Sequence, residues 1–118
     1  MGLLKKLVKS ITGIKEFSFK VAGVTFKNGR RTRQAILRAM KYHDRGFETY
    51  KITLERENFE GKTAIAVYSN GEQIGYIPAN LVQEVDAAWK HEYLIESCEI
   101  LGAGIDVPFG CRIKIAVH

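Results

Sequence analysis

Histidines, cysteines and clustered arginines are the side chains of this chain best suited to chemistry, and their spacing limits what that chemistry is. His43, His91 and His118 are scattered, with no cysteine or carboxylate cluster at ligand spacing, so they read as solvent-facing side chains. Cys98 and Cys111 are too few for a disulfide framework or a four-ligand zinc site; they read as buried, reduced thiols of a cytoplasmic protein. The chain has no Gly-x-Ser-x-Gly, no phosphate-binding Gly-Lys-Ser/Thr loop and no His-Glu-x-x-His. Gly102-Ala-Gly104 lacks a third glycine and a following helix, and reads as a turn. These absences point away from an enzyme and from any metal or cofactor. What is left is charge. Residues 1–46 hold 12 Lys/Arg against Glu16 and Asp44, a net +10, whereas residues 47–118 hold 6 Lys/Arg against 11 acids, a net −5. Such asymmetry suggests a polyanion-facing surface, either nucleic acid or membrane, although a charge run also suits a merely solvated face.

The elements that would carry these residues follow from periodicity. Leu3, Leu4, Leu7, Val8 and Ile11 share one face of a short helix over residues 2–12, with lysines opposite and Gly13 as its stop. Phe17, Phe19 and Val21 alternate as in a half-buried strand, which Gly23 interrupts. After Asn28-Gly29 and the basic run Arg30-Arg31-Thr32-Arg33, a helix extends to about Tyr42, with Ile36, Leu37 and Met40 inward and Arg33, Arg38 and Lys41 outward. Residues 47–56 alternate as a strand, and a polar loop from Glu57 to Thr63 leads to a strand at residues 64–68. Asn70-Gly71 signals a hairpin to a partner at residues 73–77. Pro78 and Asn80 open a second helix, Asn80 as its cap, with a stripe of Leu81, Val85, Ala88 and Trp89. Strands near 93–101 and 111–117 close the chain, Cys111, Ile113, Ile115 and Val117 pointing one way.

The expected architecture is therefore mainly β within the α+β class, with six strands, two internal helices and an amino-terminal amphipathic helix. Short strands joined by tight turns favour a small closed barrel or a sandwich. A chain of 118 residues, 46% hydrophobic and 26% charged, has room for one ordinary core. The division expected is a basic helix over residues 1–15 and one domain over 16–118. No apolar run reaches the ~20 residues that span a bilayer, and Lys5, Lys6 and Lys9 break up any secretory signal.

Four segments in order have a further meaning: Val21-Ala-Gly-Val-Thr-Phe26, Arg56-Glu-Asn58, Ala64-Ile-Ala-Val67 and Gly71-Glu-Gln-Ile-Gly-Tyr-Ile-Pro78. Together they resemble the HIRAN domain family, found at the front of certain DNA-repair helicase-like ATPases and as small stand-alone bacterial and phage proteins. The resemblance spans roughly Phe17 to Val117. It implies an OB-like β-barrel with two helices that binds single-stranded DNA, with preference for a free 3′ end and a helicase or nuclease acting beside it.

By the same resemblance, Phe26 matches the stacking aromatic, Tyr76 a position near the bound strand and Phe109 a late aromatic lining the same groove. From the residues alone Phe26 can instead share the inward face of Val24, and Tyr76 and Phe109 can be core or loop-packing residues. The sequence departs from the family at Thr25, where an arginine is frequent, and near Ala79, where a lysine or arginine is. The family loop Asn-Pro-Tyr-Asp appears as Asn58-Phe59-Glu60-Gly61, with Phe59 in place of the tyrosine and Glu60 in place of the aspartate that meets the terminal hydroxyl. Phosphate contacts then fall to Lys27, Arg30, Arg31 and Arg33, a dense basic stretch beside an aromatic, as a single-strand groove needs. The alternative is a membrane-surface or protein-interaction module working through residues 2–12, although eleven residues bury little apolar area.

Overall fold

The computed structural model describes residues 13–28, 31–42, 50–102 and 107–118. The helix expected at 2–12 and the side chain of Arg30 lie outside the described residues. Among the described residues, six strands and two helices follow in order: β1 (Lys15–Lys20), α1 (Arg33–Tyr42), β2 (Ile52–Phe59), β3 (Lys62–Ser69), β4 (Glu72–Tyr76), α2 (Ala79–Ala88), β5 (Tyr93–Leu101) and β6 (Gly110–Val117).

The strands form two three-stranded antiparallel sheets, β1-β6-β5 and β2-β3-β4, and not the closed OB-like barrel expected from the sequence. A barrel requires an unbroken ladder around all its strands. Here the described residues join the sheets by backbone only at one bridge, where Ala22 and Tyr76 exchange hydrogen bonds of 2.8 and 2.9 Å. On β2, the Leu54 amide donates to the Tyr93 hydroxyl at 3.1 Å, so a side chain from β5 takes a donor that a barrel would give to a neighbouring strand.

Both sheets and both helices contribute to one core. Ile65, Ile74, Ile113, Ile115, Leu37 and Val85 are fully buried within it. Alternation in β6 buries Cys111, Ile113, Ile115 and Val117 and leaves Arg112 exposed, as its pattern required. Ile36, Leu37 and Met40 carry α1 onto the core. Arg33 reverses its expected outward position and is buried, for reasons given below. In α2 the buried stripe is Val82 and Val85, and Leu81 is only half-buried. The helix starts at Ala79 after Pro78, with no side-chain cap, so Asn80 lies inside the first turn. Proline suits that entry because its missing N–H and fixed φ cost a helix start little.

The two tight hairpins differ in legibility. Asn70 and Gly71 have φ of 50° and 82°, as a two-residue turn with left-handed backbone requires. Glu60 and Gly61 do the same at 51° and 79°. The expected loop at 57–63 is thus mostly strand: β2 runs through Phe59, and Phe59 pairs with Lys62. On the adjoining strands the Cys98 and Cys111 thiols approach to 3.5 Å, and the neighbouring thiol together with burial pushes Cys111 far above the ordinary thiol range. No helix among the described residues is long and apolar enough to cross a membrane.

One clamp fixes α2 against β2. Arg56 Nε donates to Asp86 Oδ1 at 2.6 Å, its Nη2 donates to the Asp86 and Trp89 carbonyls, and its guanidinium lies 4.1 Å from the Trp89 ring centroid. The group is partly exposed, so Arg56→Ala is expected to cost only about 1–2 kcal/mol, combining a solvent-screened pair with a cation–π contact. A urea titration reads this as a lower midpoint with unchanged slope.

Candidate nucleic-acid interface

The segment that leaves β1 builds the interface. The Val21 amide donates to Cys111 O at 2.8 Å, Ala22 pairs with Tyr76, and the Phe26 amide turns back onto Gly23 O at 3.1 Å. Gly23 has φ of 75°, and a Cβ there would lie 3.1 Å from Arg33 Nη1 and 3.2 Å from Phe26 Cδ2. Glycine therefore permits both the turn and the close packing behind it. The turn ends with the Phe26 ring in solvent, 66% exposed. Phe26 is not core; the inward reading suggested by its spacing from Val24 is overturned.

Arg33 is 6% exposed and holds this loop in place. Its Nη1 donates to Gly23 O at 2.9 Å and its Nε to Asn28 Oδ1 at 3.0 Å, while Asn28 Nδ2 donates to Gln73 O at 2.6 Å. The guanidinium carbon lies 6.0 Å from the Phe26 ring centroid and 5.6 Å from that of Tyr76. Helical periodicity put Arg33 outside because it counts only the helix. Carbonyl, amide and π-face partners arriving from residues 23–28 and from β4 are what make its burial tolerable. Arg33 thus supplies a fixed positive charge beneath two aromatic rings.

Tyr76 connects this loop to a cleft of about 680 Å³ between the β2-β3-β4 sheet and α2. Ala22, Ile77 and Val82 are among its apolar walls; Phe59, 70% exposed, and Lys62 stand at the β2–β3 end. Glu57 also lines it and is held by two phenols: Tyr76 donates to Oε2 at 3.3 Å and Tyr68 to Oε1 at 3.4 Å. Burial, with the Glu57 and Glu55 carboxylates beside it, pushes the Tyr68 phenol above its ordinary value. Register explains the reach: Glu57 pairs with Ala64 and Tyr76 with Ala66, so two small side chains separate the carboxylate from the rings.

A second, basic hollow of about 510 Å³ adjoins the loop, lined by Lys27, Asn28, Arg31 and Arg33, by Gly71 of the β3–β4 turn and by Glu72 and Gln73 of β4. Arg31 Nη1 donates to Glu72 Oε1 at 2.9 Å. Arg33 lines this hollow and faces the Tyr76 ring, and Tyr76 lines the cleft, so the two depressions lie on either side of the Arg33–Tyr76 contact.

The fold therefore places Phe26, Lys27, Arg31 and Arg33 on the loop and its basic hollow, and Tyr76 and Phe59 on the neighbouring cleft. It does not gather Glu60 or Phe109. Glu60 occupies the exposed tip of the β2–β3 turn and is not a wall of the cleft. Phe109 is half-buried, edge-on to Tyr42 at 6.1 Å, and its amide and carbonyl bond to the side chain of Gln34, which also donates to Val24 O. Glu57 is the residue that the sequence reading missed. Its signal was the strand period, because Glu57 shares a face with Phe59 once β2 is extended to the turn. The histidines are also less scattered than their numbering suggests: the His91 and His118 rings lie 5.9 Å apart, beside Glu92. Among the described residues, however, no three His, Cys, Asp or Glu side chains could share a metal ion. Comparison with protein-family models, with curated proteins and with solved structures finds no match.

Proposed function

We propose that this domain is a non-catalytic, HIRAN-like module of the cytoplasm that binds single-stranded DNA at or near a 3′ end, in repair or replication-fork processing alongside a helicase or nuclease. The observation that carries the reading is Phe26: a large apolar ring held in solvent by a loop whose glycine turn and buried arginine keep it there. An aromatic so presented is a stacking platform, since every base has a π-face. Lys27 and Arg31 lie beside it for phosphates, and the cleft beyond Tyr76 is roomy enough for a terminal nucleotide. Cys98 and Cys111, standing as two thiols 3.5 Å apart, suit a reducing compartment. The membrane or protein-interaction alternative rests on residues 2–12, which lie outside the described residues.

End recognition falls to Glu57 in place of Glu60. Each carboxylate oxygen has two lone pairs, so Glu57 can accept a 3′-hydroxyl while still bonded to Tyr68 and Tyr76, and it repels a 3′-phosphate. Titrations with 3′-hydroxyl, 3′-phosphate and duplex oligonucleotides at two salt concentrations test the reading. The 3′-hydroxyl strand is expected to bind tightest, and Glu57→Gln to narrow its advantage over the 3′-phosphate strand. Equal binding of both ends by the wild type would remove end recognition; equal binding of duplex would remove the single-strand reading.

A further inference from the structure

The basic hollow contains its own competitor for phosphate. Glu72 occupies Arg31 at 2.9 Å, with the two side chains 41% and 44% exposed. A pair so open to water is weak and easily exchanged. Nor does the hollow need it for shape: Asn28 bridges Arg33 to Gln73 O, and the β3–β4 turn is made by Asn70 and Gly71, whose backbone carries the required positive φ. A carboxylate placed on one of the cations lining a basic hollow, without a structural duty there, has an electrostatic consequence instead.

We propose that Glu72 is an electrostatic gate on the phosphate path: it holds Arg31 in the free domain, and a backbone phosphate takes Arg31 by displacing it. The proposal rests on the nucleic-acid reading above and names the residue that tunes it. While Glu72 remains close, the Arg31–Glu72 pair has no net charge, so a phosphate docking there releases little of its counterion atmosphere. Polyanions that offer charge without a base to stack on are thereby held off, and binding leans on Phe26.

The test compares wild type, Glu72→Gln, Glu72→Ala, Arg31→Ala and the Arg31→Ala/Glu72→Gln double variant. Each is titrated with a short oligothymidylate and with inorganic polyphosphate, at low and at physiological salt. Glu72→Gln and Glu72→Ala should bind both probes about 3- to 10-fold tighter at low salt, by removing a rim charge that opposes association. The log–log salt slope for the oligonucleotide should steepen by about 0.7, the value of one further neutralised phosphate on a single strand. Both gains should vanish when Arg31 is absent. A gain of equal size in the Arg31→Ala background would make Glu72 a general repulsive charge and overturn the gate, as would no gain in a wild type that binds. If only polyphosphate binds, with the Arg31-dependent gain, the gate stands for phosphate and the nucleic-acid reading falls. If no variant binds either probe, both fall.

Discussion

Gly75→Ala is expected to melt well below the wild type and to lose oligonucleotide binding with it. A Cβ at Gly75 would lie 2.2 Å from Ala22 O and 2.5 Å from Val21 Cγ1. The first of these is main chain, and it already accepts the Tyr76 amide at 2.9 Å, so no rotamer change can make room. The strand must separate from residues 21 and 22. This breaks the one described backbone bridge between the sheets and shifts Tyr76, a wall of the cleft that also faces Arg33. Overpacking together with two lost backbone hydrogen bonds is expected to cost about 2–5 kcal/mol. For a chain of this length that lowers the melting temperature by about 10 °C or more. Gly71→Ala is the control: its φ of 82° is left-handed and disfavours alanine, but a Cβ there meets nothing within 4 Å. It should cost only about 1–2 kcal/mol, the left-handed penalty alone. If the two variants melt alike, the close approach at Gly75 is not what joins the sheets.

Phe26→Ala is expected to do the opposite, weakening single-strand binding while barely changing stability. The ring is 66% exposed, so truncation leaves no cavity, and loss of its cation–π contact with Arg33 should cost only about 0.5–1 kcal/mol of stability. Loss of one base stack should cost about 1–3 kcal/mol of binding, roughly 5- to 150-fold, with little dependence on base identity. Phe26→Tyr keeps the π-face and should bind nearly as the wild type does. Phe26→Leu keeps apolar bulk without the ring and should behave like alanine if stacking, rather than general apolar contact, is the interaction. Binding unaffected by all three substitutions would place the groove elsewhere; a large loss of stability in Phe26→Ala would contradict the exposed ring.

How much of this was legible depended on the distance over which each residue is satisfied. The Asn70-Gly71 hairpin needs only its own dipeptide, whose two residues accept positive φ, and it forms where expected. The Glu60-Gly61 hairpin has the same geometry but a weaker local signal, because glutamate rarely adopts a left-handed backbone. Reading those residues as a loop cut β2 short and left Glu57 off its face, while Glu60 was named from the family resemblance alone. Six strands and two internal helices were foreseeable from alternation and helical spacing, whose warrant is local burial on one face.

What the order of residues left undecided was everything settled by contacts between distant segments. Closure into a barrel depends on whether strand edges far apart in the chain share hydrogen bonds; the Tyr93 hydroxyl taking the Leu54 amide, and a single bridge at Ala22 and Tyr76, leave two sheets instead. Arg33 looked outward from its helix and is buried, since its partners come from Gly23, Asn28 and the Phe26 and Tyr76 rings. Phe109 looked like a groove aromatic and is instead anchored through Gln34 beside α1. Basic charge, aromatic rings and turn glycines are properties of residue type and were present in the sequence from the start. Whether a charge is exposed or buried, and which ring shares a surface with it, is set by tertiary packing, because a buried cation is stable only where other segments bring carbonyls and π-faces to meet it.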